Sequence, residues 1–141
     1  MLGFFKKRSD FKNKLKELQS EINRSITGVN SGGCIHFAYF MSNRLTELNI
    51  EHKIYFFDYD LPEQFSEHEL CNHVMIYIRG IGFFDGLQTY SSIKSAKNKH
   101  GFSVSDREEN LAQLRKIEGW NEEYNRYQNF KLRKLIYSII K

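Results

Sequence analysis

The stretch HVMIYIRGIGFFDG, residues 73–86, constrains the fold more than any other part of the chain. Two runs rich in β-branched and aromatic residues flank the glycines of RGIG, the pattern of an antiparallel hairpin. With the turn centred on Gly80, Met75 faces Asp85 and His73 faces Leu87. His73 and Asp85 then share a face as diagonal neighbours within side-chain reach. A shift of one residue would send them to opposite faces, so the turn decides whether they can interact.

The rest of the chain supplies partners for that hairpin. HKIYFFDYD (52–60) alternates and is aromatic-rich, so it reads as a third strand. The expected antiparallel sheet comprises about 52–58, 73–79 and 81–85. From Asp10 to Asn23, Phe11, Leu15, Leu18 and Ile22 recur at helical spacing, with Ser9 or Asp10 as the cap. After the loop SITGVNSGG, a second helix starts near Gly33 and runs to about Asn49. Phe37, Met41, Leu45 and Leu48 mark its buried stripe, Cys34 lies at the inner edge of it, and His36 points elsewhere. Residues 59–72 read as an acidic, solvated loop. Ser105 or Asp106 caps an expected helix over 106–118, and a last helix covers 121–140, with Leu132, Leu135, Ile136 and Ile139 on one face. There is no internal repeat. The sole proline, Pro62, argues against a proline-rich linker, so a single domain over 1–141 is expected, with its core at about 30–90.

A chain of 141 residues can bury one sizeable core, and an aromatic share of 15% places it among folded globular proteins. Net charge is +4, with the basic surplus at 6–8, 12–16 and 131–134. That is a modest footprint for an anionic partner, and nucleic acid is not expected on this ground. No window approaches the ~20 apolar residues of a membrane span, and the N-terminal apolar run is too short for a signal peptide. The expectation is a cytoplasmic protein with reduced thiols, in which Cys34 and Cys71 serve catalysis or metal binding rather than a disulfide. Oligomeric state is not legible.

Ser31-Gly32-Gly33 delivers Cys34 to the first turn of the second helix. There, unpaired backbone N–H groups and the helix dipole favour an anion, which lowers a thiol's pKa and makes it nucleophilic. Gly32 and Gly33 leave clearance for a substrate backbone, and the Cys34 amide is placed to donate to an oxyanion. Packing as a small apolar residue is the competing account of the same cysteine. If the hairpin register holds, Asp85 orients the His73 imidazole and His73 takes the proton from Cys34.

A helix-borne Cys in GGCIHFAYFMSNRLTELNI, then a strand opening with His and a strand ending in Asp in NHVMIYIRGIGFFDG, resembles the papain-like cysteine hydrolases. The order and compact spacing look most like their transglutaminase-like and NlpC-type branches. The resemblance covers about 33–86 and implies an α+β fold, in which a central helix begun by the nucleophile packs on a small antiparallel sheet. It implies a thiol-dependent hydrolase or acyl transferase acting on a peptide or amide bond, with catalytic Cys34, His73 and Asp85 and no cofactor. An oxyanion side chain upstream of the cysteine is also expected in such enzymes, and Asn30 is the better nearby candidate than Ser31. The flanking helices match nothing in that family.

Two other readings use overlapping residues. Cys34, His36, Cys71 and His73, with His68 close by, could form a structural zinc site. Their spacing fits no familiar zinc module, and Cys-x-His on a helix splays its side chains by about 200°. Alternatively the basic last helix, with Trp120, Tyr124, Tyr127 and Phe130 among Arg126, Lys131, Arg133 and Lys134, could be a platform for nucleic acid or protein. The same residues also describe the core seam of a terminal helix. His52, His68 and His100 have no partner that sequence alone can name.

Overall fold

Gly80 and Gly82 set the hairpin. Both have positive φ (85° and 116°), which lets the chain reverse between Ile78 and Gly82, with the Ile81 amide donating to the Ile78 carbonyl at 2.9 Å. The computed structural model describes residues 2–26, 34–57, 73–100, 106–109, 111–114 and 126–141. Its elements in chain order are α1 (Leu2–Ser25), α2 (Cys34–Glu47), β1 (Lys53–Phe57), β2 (His73–Ile78), β3 (Gly82–Phe84), β4 (Thr89–Tyr90), α3 (Ile93–His100), β5 (Asp106–Glu109), α4 (Leu111–Leu114) and α5 (Arg126–Ile139). The fold is α+β.

The sheet is antiparallel, with strand order β4-β3-β2-β1-β5. Ile76 faces Phe84, Tyr77 faces Phe83 and Ile78 faces Gly82, the register expected for a turn centred on Gly80. Ile54 and Phe56 of β1, Val74, Ile76 and Ile78 of β2, and Phe84 of β3 turn to one face. They pack with Leu15, Leu18 and Ile22 of α1, Phe37, Met41 and Leu45 of α2, and Leu132 and Ile136 of α5. Phe84 sits edge-on to the rings of Phe37 and Phe11, with both centroid distances 6.4 Å. The other face joins Phe57, Met75, Phe83 and Tyr90 to Ala96 of α3, with Tyr55, Tyr77 and Ile93 half-buried beside them.

The expected helix over 106–118 is corrected. Residues 106–109 are strand β5, paired with β1 from Phe57↔Asp106 to Ile54↔Glu109, and among the described residues up to 118 the helical part is the short α4. The unpaired edge of β1 supplies backbone partners that outweigh a weak local helical preference. The first helix is longer than 10–23, running from Leu2 to Ser25, and the last runs over Arg126–Ile139, with 115–125 outside the described residues. α1 and α5 do cover the sheet, on the same face as α2.

Tethers at the helix ends fasten these layers. Arg44 donates from Nε to the Ile140 carbonyl at 2.7 Å and stacks on the Tyr137 ring. Lys131 donates to the Ser25 carbonyl at 3.0 Å, joining α5 to the end of α1. α2 ends with Asn49 in the left-handed region (φ 58°), and the Ile50 amide closes on the Leu45 carbonyl at 2.8 Å. His52 locks that exit: its Nδ1 donates to the Ile50 carbonyl at 2.9 Å, and its Nε2 accepts from the Ser42 hydroxyl at 2.7 Å.

Candidate active site

The expected diagonal between β2 and the end of β3 is closed by a hydrogen bond. His73 Nε2 lies 2.9 Å from Asp85 Oδ2. His73 opens β2 opposite Phe57 of β1, and the β2–β3 ladder brings Asp85, just past Phe84, alongside. The second partner of the imidazole is the Cys34 side chain, to which it also hydrogen-bonds. With Nε2 committed to Asp85, the nitrogen facing Cys34 is Nδ1. Cys34 is the first residue of α2 and carries a free thiol. Three side chains that the sequence placed on one helix start and two strand ends therefore meet in a single relay.

That relay is buried: Cys34 exposes 5% of its surface, His73 2% and Asp85 none. Burial alone would pull the His73 pKa down. The hydrogen bonds to Asp85 and Cys34, together with the charges of both, outweigh it and push His73 up to about 9. The imidazole is therefore protonated at neutral pH. For Asp85, burial alone acts upward. The hydrogen bond and charge of His73, with the Leu87 and Gln88 amides, outweigh it and hold Asp85 below the ordinary carboxylate value.

The two Asp85 oxygens have separate duties. Oδ2 holds the imidazole, while Oδ1 accepts from the Leu87 amide at 2.8 Å and the Gln88 amide at 2.9 Å. The Asp85 amide in turn donates to the Gln88 carbonyl at 3.0 Å. An aspartate before glycine is the residue type that builds such a turn with its own side chain. Asp85 thus builds the turn with one oxygen and holds the imidazole with the other.

Other residues singled out from the sequence fall differently. Asn30, Gly32 and Gly33 lie outside the described residues, as do Ser31, His68, Cys71 and the acidic stretch 58–72. His36, expected to point away from the core, is buried, because the whole first turn of α2 from Cys34 to Ala38 is enclosed. Among the described residues no group of three or more His, Cys, Asp or Glu side chains could hold a metal ion. Cys71 and His68 of the zinc reading are not among them. On α5, Leu132 and Ile136 form the seam expected of a terminal helix, while Phe130 is 66% exposed. Trp120 and Tyr124 lie outside the described residues, as does the side chain of Tyr127. Among the described residues no helix is long and apolar enough to cross a membrane.

Sequence reasoning passed over Gln19. It lies four residues after Leu15 and three before Ile22, on the apolar stripe of α1, and is itself buried. A lone amide on such a stripe was the available signal, since a buried polar side chain requires a partner.

Compared with family models, with curated proteins and with solved structures, the chain matches none.

Proposed function

We propose that this chain is a thiol-dependent hydrolase or acyl transferase with a papain-like arrangement, acting on a peptide or amide bond. The observation that carries the reading is the His73 imidazole held between Asp85 Oδ2 and the Cys34 thiol. A buried cysteine with a merely packing role needs neither an imidazole at its side nor a carboxylate behind that imidazole.

In this reading Cys34 Sγ attacks the carbonyl carbon, and the π electrons move onto oxygen. The backbone N–H of Cys34, at the start of α2, donates to that oxygen. His73 carries the proton that left the thiol. When the tetrahedral intermediate collapses, the C–N bond breaks and His73 passes its proton to the departing amine, leaving a thioester on Cys34. Water then attacks the thioester, His73 takes a proton from it, and the acid leaves as the C–S bond breaks. An amine in place of that water gives transfer. Asp85 keeps the imidazole in the tautomer that presents Nδ1 to sulfur. No cofactor enters these steps.

The test is alkylation of the protein with iodoacetamide across a pH series, with Cys34→Ala and His73→Gln variants. It is joined to mass analysis after incubation with a panel of aryl esters and peptide amides. The expected result is Cys34 labelling that weakens in His73→Gln, and an acyl adduct confined to Cys34. A Cys34 as inert as a buried packing thiol at every pH, with no adduct from any ester, sinks the proposal.

A further inference from the structure

Gln19 is contributed by α1, far from the site in sequence. Its amide nitrogen donates to the Asp85 backbone carbonyl at 3.1 Å and to Thr89 Oγ1 at 3.1 Å. A side-chain amide has two N–H bonds, and these two acceptors use both. Gln19 therefore has no donor left for a substrate oxyanion. Its two acceptors instead flank the turn that carries Asp85, one at its start and one just beyond Gln88. The bond to the Asp85 carbonyl is buried, so that acceptor would not readily find another partner, whereas Thr89 is exposed and its hydroxyl can turn to water.

We infer that Gln19 is a positioning residue for the relay: it fixes the Asp85 backbone from α1, and through it the carboxylate that orients His73. The inference rests on the catalytic reading for its meaning, but its geometry stands independently of it. Within the turn, Asp85 is held by the Leu87 and Gln88 amides on Oδ1 and by its own amide on the Gln88 carbonyl. Those bonds shape the turn internally and would let it pivot as one piece against β2. Gln19 opposes that pivot because it belongs to a different layer, anchored by Leu15, Leu18 and Ile22 in the core. The consequence reaches His73 because Asp85 is a chief source of its raised pKa. A turn that pivots lengthens the bond to Nε2 and lets the imidazole release its proton at lower pH.

The experiment is an NMR titration of the His73 ring in wild type, Gln19→Met and Thr89→Val, paired with the pH profile of Cys34 alkylation. Gln19→Met keeps the length of the side chain and removes both donors. The expected result is a fall of about one pH unit in the His73 midpoint, a tenfold change in its protonation equilibrium, with the alkylation profile shifted alongside. Thr89→Val leaves the Gln19 bond to the Asp85 carbonyl in place, so its His73 midpoint should match wild type. An unchanged midpoint in Gln19→Met, or equal shifts in both variants, overturns the inference. Should Gln19→Met not fold, Gln19→Asn, which shortens the reach by one methylene, is read the same way. Failure of both to fold also overturns it, because Gln19 would then be a general structural residue. If wild-type Cys34 proves inert while Gln19→Met still lowers the His73 midpoint, the positioning role holds and the catalytic reading alone fails.

Discussion

The raised pKa of His73 makes stability depend on pH in a window that few other groups share. His73 goes from an ordinary value of 6.5 to about 9 in the folded chain. The folded state thus holds its proton more tightly than the unfolded state does. That contribution is complete below pH 6.5 and is lost as pH rises through 9. Between those values the unfolded chain has released the proton and the folded chain has not. Stability therefore falls by about 1.4 kcal/mol per pH unit. Over the whole interval the loss is about 3 kcal/mol, a large share of what holds a domain of this size together. Asp85 acts at the opposite end. Its folded value lies below 3.8, so its contribution is present above that pH and is lost as pH falls through the folded value. Tyr90, raised to about 12 mainly by burial, weakens the fold only from pH 10 upward. Urea unfolding at half-unit steps from about pH 6 to 9.5 should then show a plateau followed by a steady decline. His73→Gln, whose amide can still donate to Asp85 without titrating, should abolish the decline. A flat wild-type profile, or the same slope in His73→Gln, would refute the reasoning.

Two further outcomes follow from the packing. Phe84→Ala removes a fully buried ring that meets Phe37 and Phe11 edge-on, and should cost about 3–5 kcal/mol in urea unfolding; a loss below about 1 kcal/mol would mean that the core closes without it. Gly82→Ala would drive a Cβ into the Tyr90 carbonyl oxygen at φ 116°, and should cost about 2 kcal/mol or more. Amide hydrogen exchange at Asp85, whose N–H is bonded to Gln88, should accelerate in that variant, and unchanged protection would contradict the close approach.

The pairing of His73 with Asp85 was legible because the hairpin announces itself locally. Gly80 at the turn and the alternation of residues 74–78 and 82–84 leave one register that buries the apolar set, and that register puts His73 beside Asp85. The stripes of α1 and α2 were equally plain, since Leu15, Leu18 and Ile22, like Phe37, Met41 and Leu45, follow the helical period and are all buried. What was missed depends on partners remote in sequence. Asp106–Glu109 has no residue with a strand preference, and only the free edge of β1 makes it one. Gln19 stands on the apolar stripe of α1, but the Asp85 carbonyl it serves is remote in sequence. His36 is enclosed although it stands off the Phe37–Met41 stripe, because the first turn of α2 is covered on every side. His52 gained its role only when the exit from α2 folded it back onto Ser42.

The strand that borders β1 has a consequence for how the protein stays dispersed. KIYFF is the kind of segment that recruits copies of itself: aromatic, apolar and bearing a full row of backbone donors and acceptors. β5 occupies that row with the sequence DREE, four ionisable residues in succession, and forms the outer strand of the described sheet. A chain of charges is a poor template for another strand, so growth of the sheet in that direction is discouraged at its border. Resistance to clumping is thereby entrusted to four residues with little intrinsic reason to be a strand. Were those four residues to detach, the row of backbone donors and acceptors along KIYFF would be uncovered.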